Sequence, residues 1–403
     1  MKHFFLFIFI VGFDLVSWSQ SGCTDPLATN FNSMALVNDG SCVYPFTAQA
    51  PDISLPISDV IMETSGLLFF NQQYWTHNDD TDPAWYAVDS VSGQVVDTLF
   101  WNGMQNIDWE DIQQNESYFF IGDVGNNSGN RTDLKILRIP KSAVSNFSLD
   151  VVDTISFHYD DQLDFNNAAN DHDYDCEAFI VEGDSIFLFT KCWASHTTSL
   201  YSLSSLPGDH VAVKRSNWDV QGMITGAHRK ENQDHMILVG YNELVQPFVV
   251  LLYDFPGTQF LSGNKRMISL AMPFHQMEAI SSSDGYHYYL TNEQLIQGFT
   301  VPAQLHHWNA SQYLQDSTVN VGNQEAKFQI QCYPNPVIES FTVSGLRSGS
   351  NVLWELYDAN GKRWRNGQTA DGLLRCSMQA LPAGNYFLRL SNGEVHVIEF
   401  IHH

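Results

Sequence analysis

Long apolar runs, basic side chains and helical periodicity are all scarce in this chain, and each shortage excludes something. Beyond Phe13 no apolar run approaches the roughly 20 residues that span a bilayer, so no membrane-spanning helix is expected there. Lys and Arg number 19 against 45 Asp and Glu, a formal net charge of −26. The imbalance is local: residues 325–403 hold seven basic and seven acidic side chains, whereas residues 20–324 hold 11 and 37. Such a surface repels nucleic acid and anionic membranes and favours cations or basic partners. No stretch keeps a 3.6-residue apolar period beyond about two turns. A G-x-S-x-G elbow, an H-E-x-x-H pair, a phosphate-binding P-loop and a dinucleotide fingerprint are all missing. An anionic substrate would need bridging metal ions, and no catalytic residue is assigned.

What is present begins with a processing segment. Lys2 and His3 precede the apolar run 4–13, and Ser17 and Ser19 flank Trp18 just before Gln20. This pattern predicts a signal peptide over residues 1–19, cleaved before Gln20. Export permits disulfides. The six cysteines form three local pairs, Cys23–Cys42, Cys176–Cys192 and Cys332–Cys376. Local pairing is the simplest of 15 connectivities, and sequence alone does not prove it. For the second pair, a hairpin turning at EGDS (182–185) sets Cys176 opposite about residue 191.

Residues 20–45 form a small cysteine-bracketed module. Within it Asp25, Asn30, Asn32, Asn38 and Asp39 offer oxygen ligands of the kind calcium takes. GCTDPLATNFNSMALVNDGSCVY (22–44) resembles a module common near the ends of bacterial secreted proteins. Phe31 stands where that module usually has Tyr, and Asn38 where it has Asp.

At the other end, FTV (341–343), VLWELY (352–357), YFLRL (386–390) and VHVIEF (395–400) alternate as strands do. DANG (358–361), PAG (382–384) and NG (392–393) separate them as turns. Residues 326–403 therefore predict a small Ig-like β-sandwich, after a linker over 316–325. Tyr333-Pro334-Asn335-Pro336, LYDANGK (356–362, with Gly361) and LPAGNYFLRL (381–390, with Gly384) resemble the C-terminal sorting domain of the type IX secretion system. The resemblance implies contact with that machinery, export across the outer membrane of a Gram-negative bacterium, and attachment or release after removal of the domain.

Residues 46–315 carry an internal repeat. METSGL (62–67), DWEDI (108–112), DCEAF (175–179), MITGA (223–227) and QMEAI (276–280) recur. Each precedes a hydrophobic run with a polar end: YWTHND (74–79), YFFIGD (118–123), IFLFTK (186–191), MILVGY (236–241) and YYLTNE (288–293). Spacings of about 47 to 67 residues suit four-stranded propeller blades. Five blades are countable, with a sixth, degenerate blade as the alternative. The all-β ring is expected to close by pairing ISLPI (53–57) with the last blade.

The first strand of a blade lines the central channel, so the repeated Glu63, Glu110, Glu177 and Glu278 are expected near the axis, with Thr225 in the remaining repeat. The polar strand ends Asn78, Asp79, Asp123, Asn126, Asn292 and Glu293 join them. Converging carboxylates repel and raise one another's pKa unless a cation neutralises them, and calcium is the natural candidate. The bland reading is that these residues satisfy neighbouring backbone. His77 is the best-placed histidine for proton transfer, and His172 and Asp173 belong to a polar insertion near the mouth. The pattern of Glu63, His77–Asp79, the DWEDI segment and Asp123 is similar to secreted phytase-like, esterase-like and lactonase-type propellers, the last of which use a channel-bound calcium. Three functions follow: a ligand- or partner-binding surface module with an acidic channel, a calcium-dependent hydrolase of an ester, lactone or phosphoester, or a purely structural surface component.

Overall fold

A computed structural model describes residues 20–101, 103–146, 152–231, 233–314, 331–333, 336–344, 348–359, 361–371, 373–391 and 395–402. The expected signal peptide 1–19, the linker 316–325, Pro334 and Asn335 lie outside these residues. The chain divides into two compact units, Met1–Ser317 and Thr318–His403.

The first unit is all-β and propeller-like. Four strands at a time form antiparallel groups. The first group is Thr64–Phe70, Gln73–Asn78, Ala84–Val88 and Val95–Phe100. The second is Trp109–Gln114, Tyr118–Asp123, Lys135–Pro140 and Asp153–Tyr159. The third is Asp175–Glu182, Ser185–Lys191, Thr198–Ser204 and Gly208–Trp218. The fourth is Met223–His228, His235–Tyr241, Pro247–Tyr253 and Asn264–Leu270. The fifth is Met277–Ser282, His287–Asn292, Gln304–Asn309 and, from far back in the chain, Ile53–Pro56.

Burial explains this order. The second strands are largely buried, and His235–Tyr241 is so throughout, because a neighbouring group covers each face. Fourth strands such as Asp153–Tyr159 have buried and exposed positions interspersed, as an outer strand with one wet face must. An apolar core fills each gap between groups. One joins Trp75, Trp85, Trp109 and Phe119 of the first two groups. Another joins Tyr74 and Tyr86 of the first to Ala279 and Leu305 of the fifth. Each first strand packs on the next, and Met277–Ser282 packs on Thr64–Phe70, so the circuit closes.

Three edges are covered, one of them where Ala48–Gln49 pairs in parallel with Ser269–Leu270 of the fourth group. Ile53–Pro56 pairs antiparallel with Gln304–Asn309, which seals the last group with the strand that precedes the first. Gly208–Trp218 is long enough to serve two partners: Val213–Trp218 pairs with Thr198–Ser202, while Gly208–Ala212 pairs in parallel with Ile155–Tyr159. The second and third groups thereby merge into one eight-stranded sheet.

The N-terminal module holds the one disulfide among the described residues, Cys23–Cys42. Its oxygen-bearing side chains are engaged. Asp25 is buried and accepts hydrogen bonds from Leu27 N, Tyr44 and Tyr253. Asn30, Asn32, Asn38 and Asp39 accept from the backbone N–H groups of Val43, Met34, Gly40 and Ser41. Asn38 also donates to Asp254, which ties the module to the fourth group.

The other two expected disulfides are absent: Cys176, Cys192, Cys332 and Cys376 are free thiols. A β-bulge at Glu177 shifts the register by one, so Cys176 faces Thr190 and Cys192 lies diagonally beyond. Diagonal neighbours sit about 7–8 Å apart, past the usual reach of a disulfide. Cys332 and Cys376 lie on strands that flank Ser340–Ser344 on opposite sides. Two strand spacings come to about 9–10 Å, again too far. Alkylation followed by mass spectrometry should therefore label Cys176 and Cys192 only in denaturant, without prior reduction. Labelling that required a reductant would overturn this assignment.

The second unit packs a three-stranded sheet on a four-stranded one. The sheets are Gln331–Tyr333, Ser340–Ser344 and Leu374–Ser377, and Arg363–Asp371, Ser348–Asp358, Gly384–Ser391 and Val395–His402. Val337, Phe341, Leu356, Leu388 and Phe400 fill the space between them. Gly361 takes φ +77° in the turn where its N–H bonds Asp358 O.

Candidate functional site

The bulge at Glu177 is one of five. Each hairpin of a first and second strand has one extra residue on its first strand: Gly66, Glu110, Glu177, Thr225 and Glu278. Bulges of this kind re-aim a side chain and end pairing beside functional sites. Here they turn Glu110, Glu177 and Glu278 onto a cavity of about 170 Å³. Glu63 also lines it, but from the exposed segment just before its strand. Its repeat position is thus not that of the other three glutamates: the extra residue of its group is Gly66, at φ +54°.

The cavity is bounded by Glu63, Asp79, Glu110, Glu177, Glu278 and Glu293, with Lys191 as its one basic lining residue. Lys191 and Glu177, 6% and 3% exposed, pair at 3.2 Å. The Lys191 ammonium also lies 4.6 Å from the ring centre of Trp193 and 5.5 Å from that of Tyr241. Burial alone would lower its pKa, but Glu177, Tyr241 and Glu278 more than offset this and hold it charged. Burial pushes Glu278 up to about 8 against the pull of Lys191, and Oε2 of Glu278 has no hydrogen-bond partner. Glu110 is raised by burial and then by Glu177 and Asp108. Asp79 is pushed up to about 7 by burial, then by Glu63 and Asp80, and its Oδ1 is also unpartnered. Oxygens of Glu63, Asp79 and Asp80 converge within 4.8 Å at the rim. Gly125 fits only because it has no Cβ, which would lie 2.3 Å from Oε1 of Glu110.

Other acidic residues are architectural. Asp111 accepts from Ile112 N, Gln113 Nε2 and, across the groups, Phe179 N at 2.9 Å. Ser65 Oγ donates to Glu110 O and Thr225 to Met277 O, which stitch neighbouring first strands, while Gln113 donates across the ring to Ala227 O. Asp123 does not line the cavity: it is fully buried and paired with Arg131 at 2.8 Å and Lys135 at 2.9 Å. Asn78 holds Glu63 N and Val60 O, and Asn126 holds Tyr174 O and Arg131 N. Asn292 bonds Glu293 O, Pro302 O and His306. His77 is fully buried, with burial pushing its pKa down to about 4, and its ring lies edge-on to Trp109. His172 bonds Asn127 O and Tyr174 N.

Lys191 and Trp193 were missed in the sequence as site residues. The signal was that Lys191 is the one basic residue among five polar strand ends.

Residues 331–401 match the family described as the secretion system C-terminal sorting domain. The chain is marked for export by type IX secretion. That places it at the cell surface or in the medium of a Gram-negative bacterium. No curated protein sequence matches it. Among solved structures it is similar to PorZ, a surface component of the type IX secretion system of Porphyromonas gingivalis, at 12% identity and a TM-score of 0.31. The match covers 84% of this chain, which spans only 45% of PorZ. An extracellular domain of BT4673 from B. thetaiotaomicron follows at 10% identity and 0.31, covering 89% of this chain and 60% of that one. The WD40 repeats of RRP9 match at 9% identity and 0.33, covering 65% and 99%. At these scores the likenesses carry no argument about what the pocket does.

Proposed function

We propose that the exported protein is a five-bladed β-propeller that binds a ligand at its acidic channel mouth, carried by an Ig-like sorting domain that engages the secretion machinery. The observation behind the binding reading is the charge balance of one cavity: six carboxyl groups face a single ammonium. Buried like charges are costly unless protons or a cation neutralise them, so a cationic group is the natural guest. The rim set of Glu63, Asp79 and Asp80 suits a hard ion such as calcium, because all three offer oxygens and Asp79 Oδ1 has no other partner.

A second reading, a hydrolase, is favoured by Asp79 near 7 and Glu278 near 8, the range in which a carboxyl serves as acid or base at ordinary pH. If calcium binds, saturating metal raises the melting temperature by a few degrees over chelator, and Asp79→Asn removes the rise. Identical curves dismiss the metal. Turnover of an ester, lactone or phosphoester panel that vanishes in Glu278→Gln would establish the hydrolase; no turnover leaves binding alone.

A further inference from the structure

The deep part of the pocket differs from the rim. Among the described residues, no three acidic groups that include Glu110, Glu177 or Glu278 bring oxygens within 4.8 Å of one another. Calcium held mainly by carboxylates needs such convergence, at 2.3–2.6 Å per oxygen. An ammonium or guanidinium does not: its hydrogen bonds are longer, and aromatic faces reach it from up to about 6 Å. The pocket already shows this chemistry with its own occupant, since Lys191 sits against Glu177 and over Trp193 and Tyr241. That single ammonium does not exhaust the site. Glu278 is 6% exposed, lines the cavity, and keeps Oε2 free of any hydrogen-bond partner. Glu293 and Tyr241 line the same cavity, and both interact electrostatically with Glu278.

We propose that the deep pocket takes an organic cation, a primary ammonium or guanidinium at the end of an extended chain, seated against Glu278, Glu293 and the Tyr241 ring. Lys191 supplies selectivity: it neutralises Glu177 and, as a fixed positive charge beside the guest, opposes a divalent ion more strongly than a monovalent one. A volume of about 170 Å³ admits a terminal cation with a few methylenes and little more. The inference rests on the channel mouth being the binding site.

Calorimetric titration of the full chain with cadaverine, agmatine and calcium chloride tests it. The expected result is saturable binding of at least one amine, weakened tenfold or more in Glu278→Gln and unchanged in Asp97→Asn, an exposed control. Calcium binding lost in Glu278→Gln, with neither amine bound, keeps the site and overturns the ligand class. Amine binding unaffected by Glu278→Gln overturns the proposed seat. No saturable binding of any of the three overturns both the class and the binding reading.

Discussion

Lys191→Met should lower the melting temperature by on the order of 10 °C at neutral pH. The substitution keeps the stem and removes the charge. Glu177, 3% exposed, then loses its partner at 3.2 Å while Glu110 and Glu278 remain nearby. Breaking a buried pair in this way costs about 3–5 kcal/mol, and each kcal/mol is worth about 2–4 °C in a domain of this size. The loss should shrink as pH falls, because burial holds Glu177 well above the usual carboxylate range and, without Lys191 to favour its ionised form, it takes a proton more readily. It should also shrink in Lys191→Met/Glu177→Gln, which removes the stranded charge. A deficit that stays constant from pH 5 to 8 and persists in the double variant would locate the cost in packing against Trp193 and Tyr241 instead.

The architecture was legible because burial repeats. Each group has a largely buried second strand, and such strands read as continuous apolar runs with a polar end. The closing strand was legible because ISLPI had no partner of its own in the first repeat. What the sequence could not display was local register. One extra residue per first strand decides which side chain meets the cavity, and it also separates Cys176 from Cys192. Glu110, Glu177 and Glu278 were found because Glu occupies that extra position. Glu63 shares the recurring segment and the residue type, but it lies three residues before the true bulge at Gly66. Asp123 looked like a channel residue, yet Arg131, eight positions on, folds back to neutralise it. That partner was readable in principle as the nearest downstream cation. Lys191 escaped notice for the opposite reason: its role depends on Glu278 and Tyr241, which come from two other groups.

Glu278 should make stability fall as pH rises from 5 to 8, and Glu278→Gln should remove that contribution. Free glutamate titrates near 4.3, whereas burial in the folded protein pushes Glu278 up to about 8. Between those values the folded state holds a proton that the unfolded state has released. Unfolding stability therefore decreases with pH across this window. The contribution is fully present below about pH 4 and is lost as pH passes through 8. One proton changes stability by at most about 1.4 kcal/mol per pH unit. With relaxation of the site, the fall over this range is on the order of 3 kcal/mol, or several degrees. Asp79, pushed up to about 7, adds in the same direction, reduced by its partial exposure. Gln keeps the shape without the titration, so the variant should match the parent near pH 4 and exceed it near pH 8. A bound cation should flatten the parent's curve in the same way, because it stabilises the ionised carboxylates. Parallel curves for parent and variant would mean that Glu278 titrates like a free carboxylate, and the unneutralised-charge argument for the pocket would fall with it.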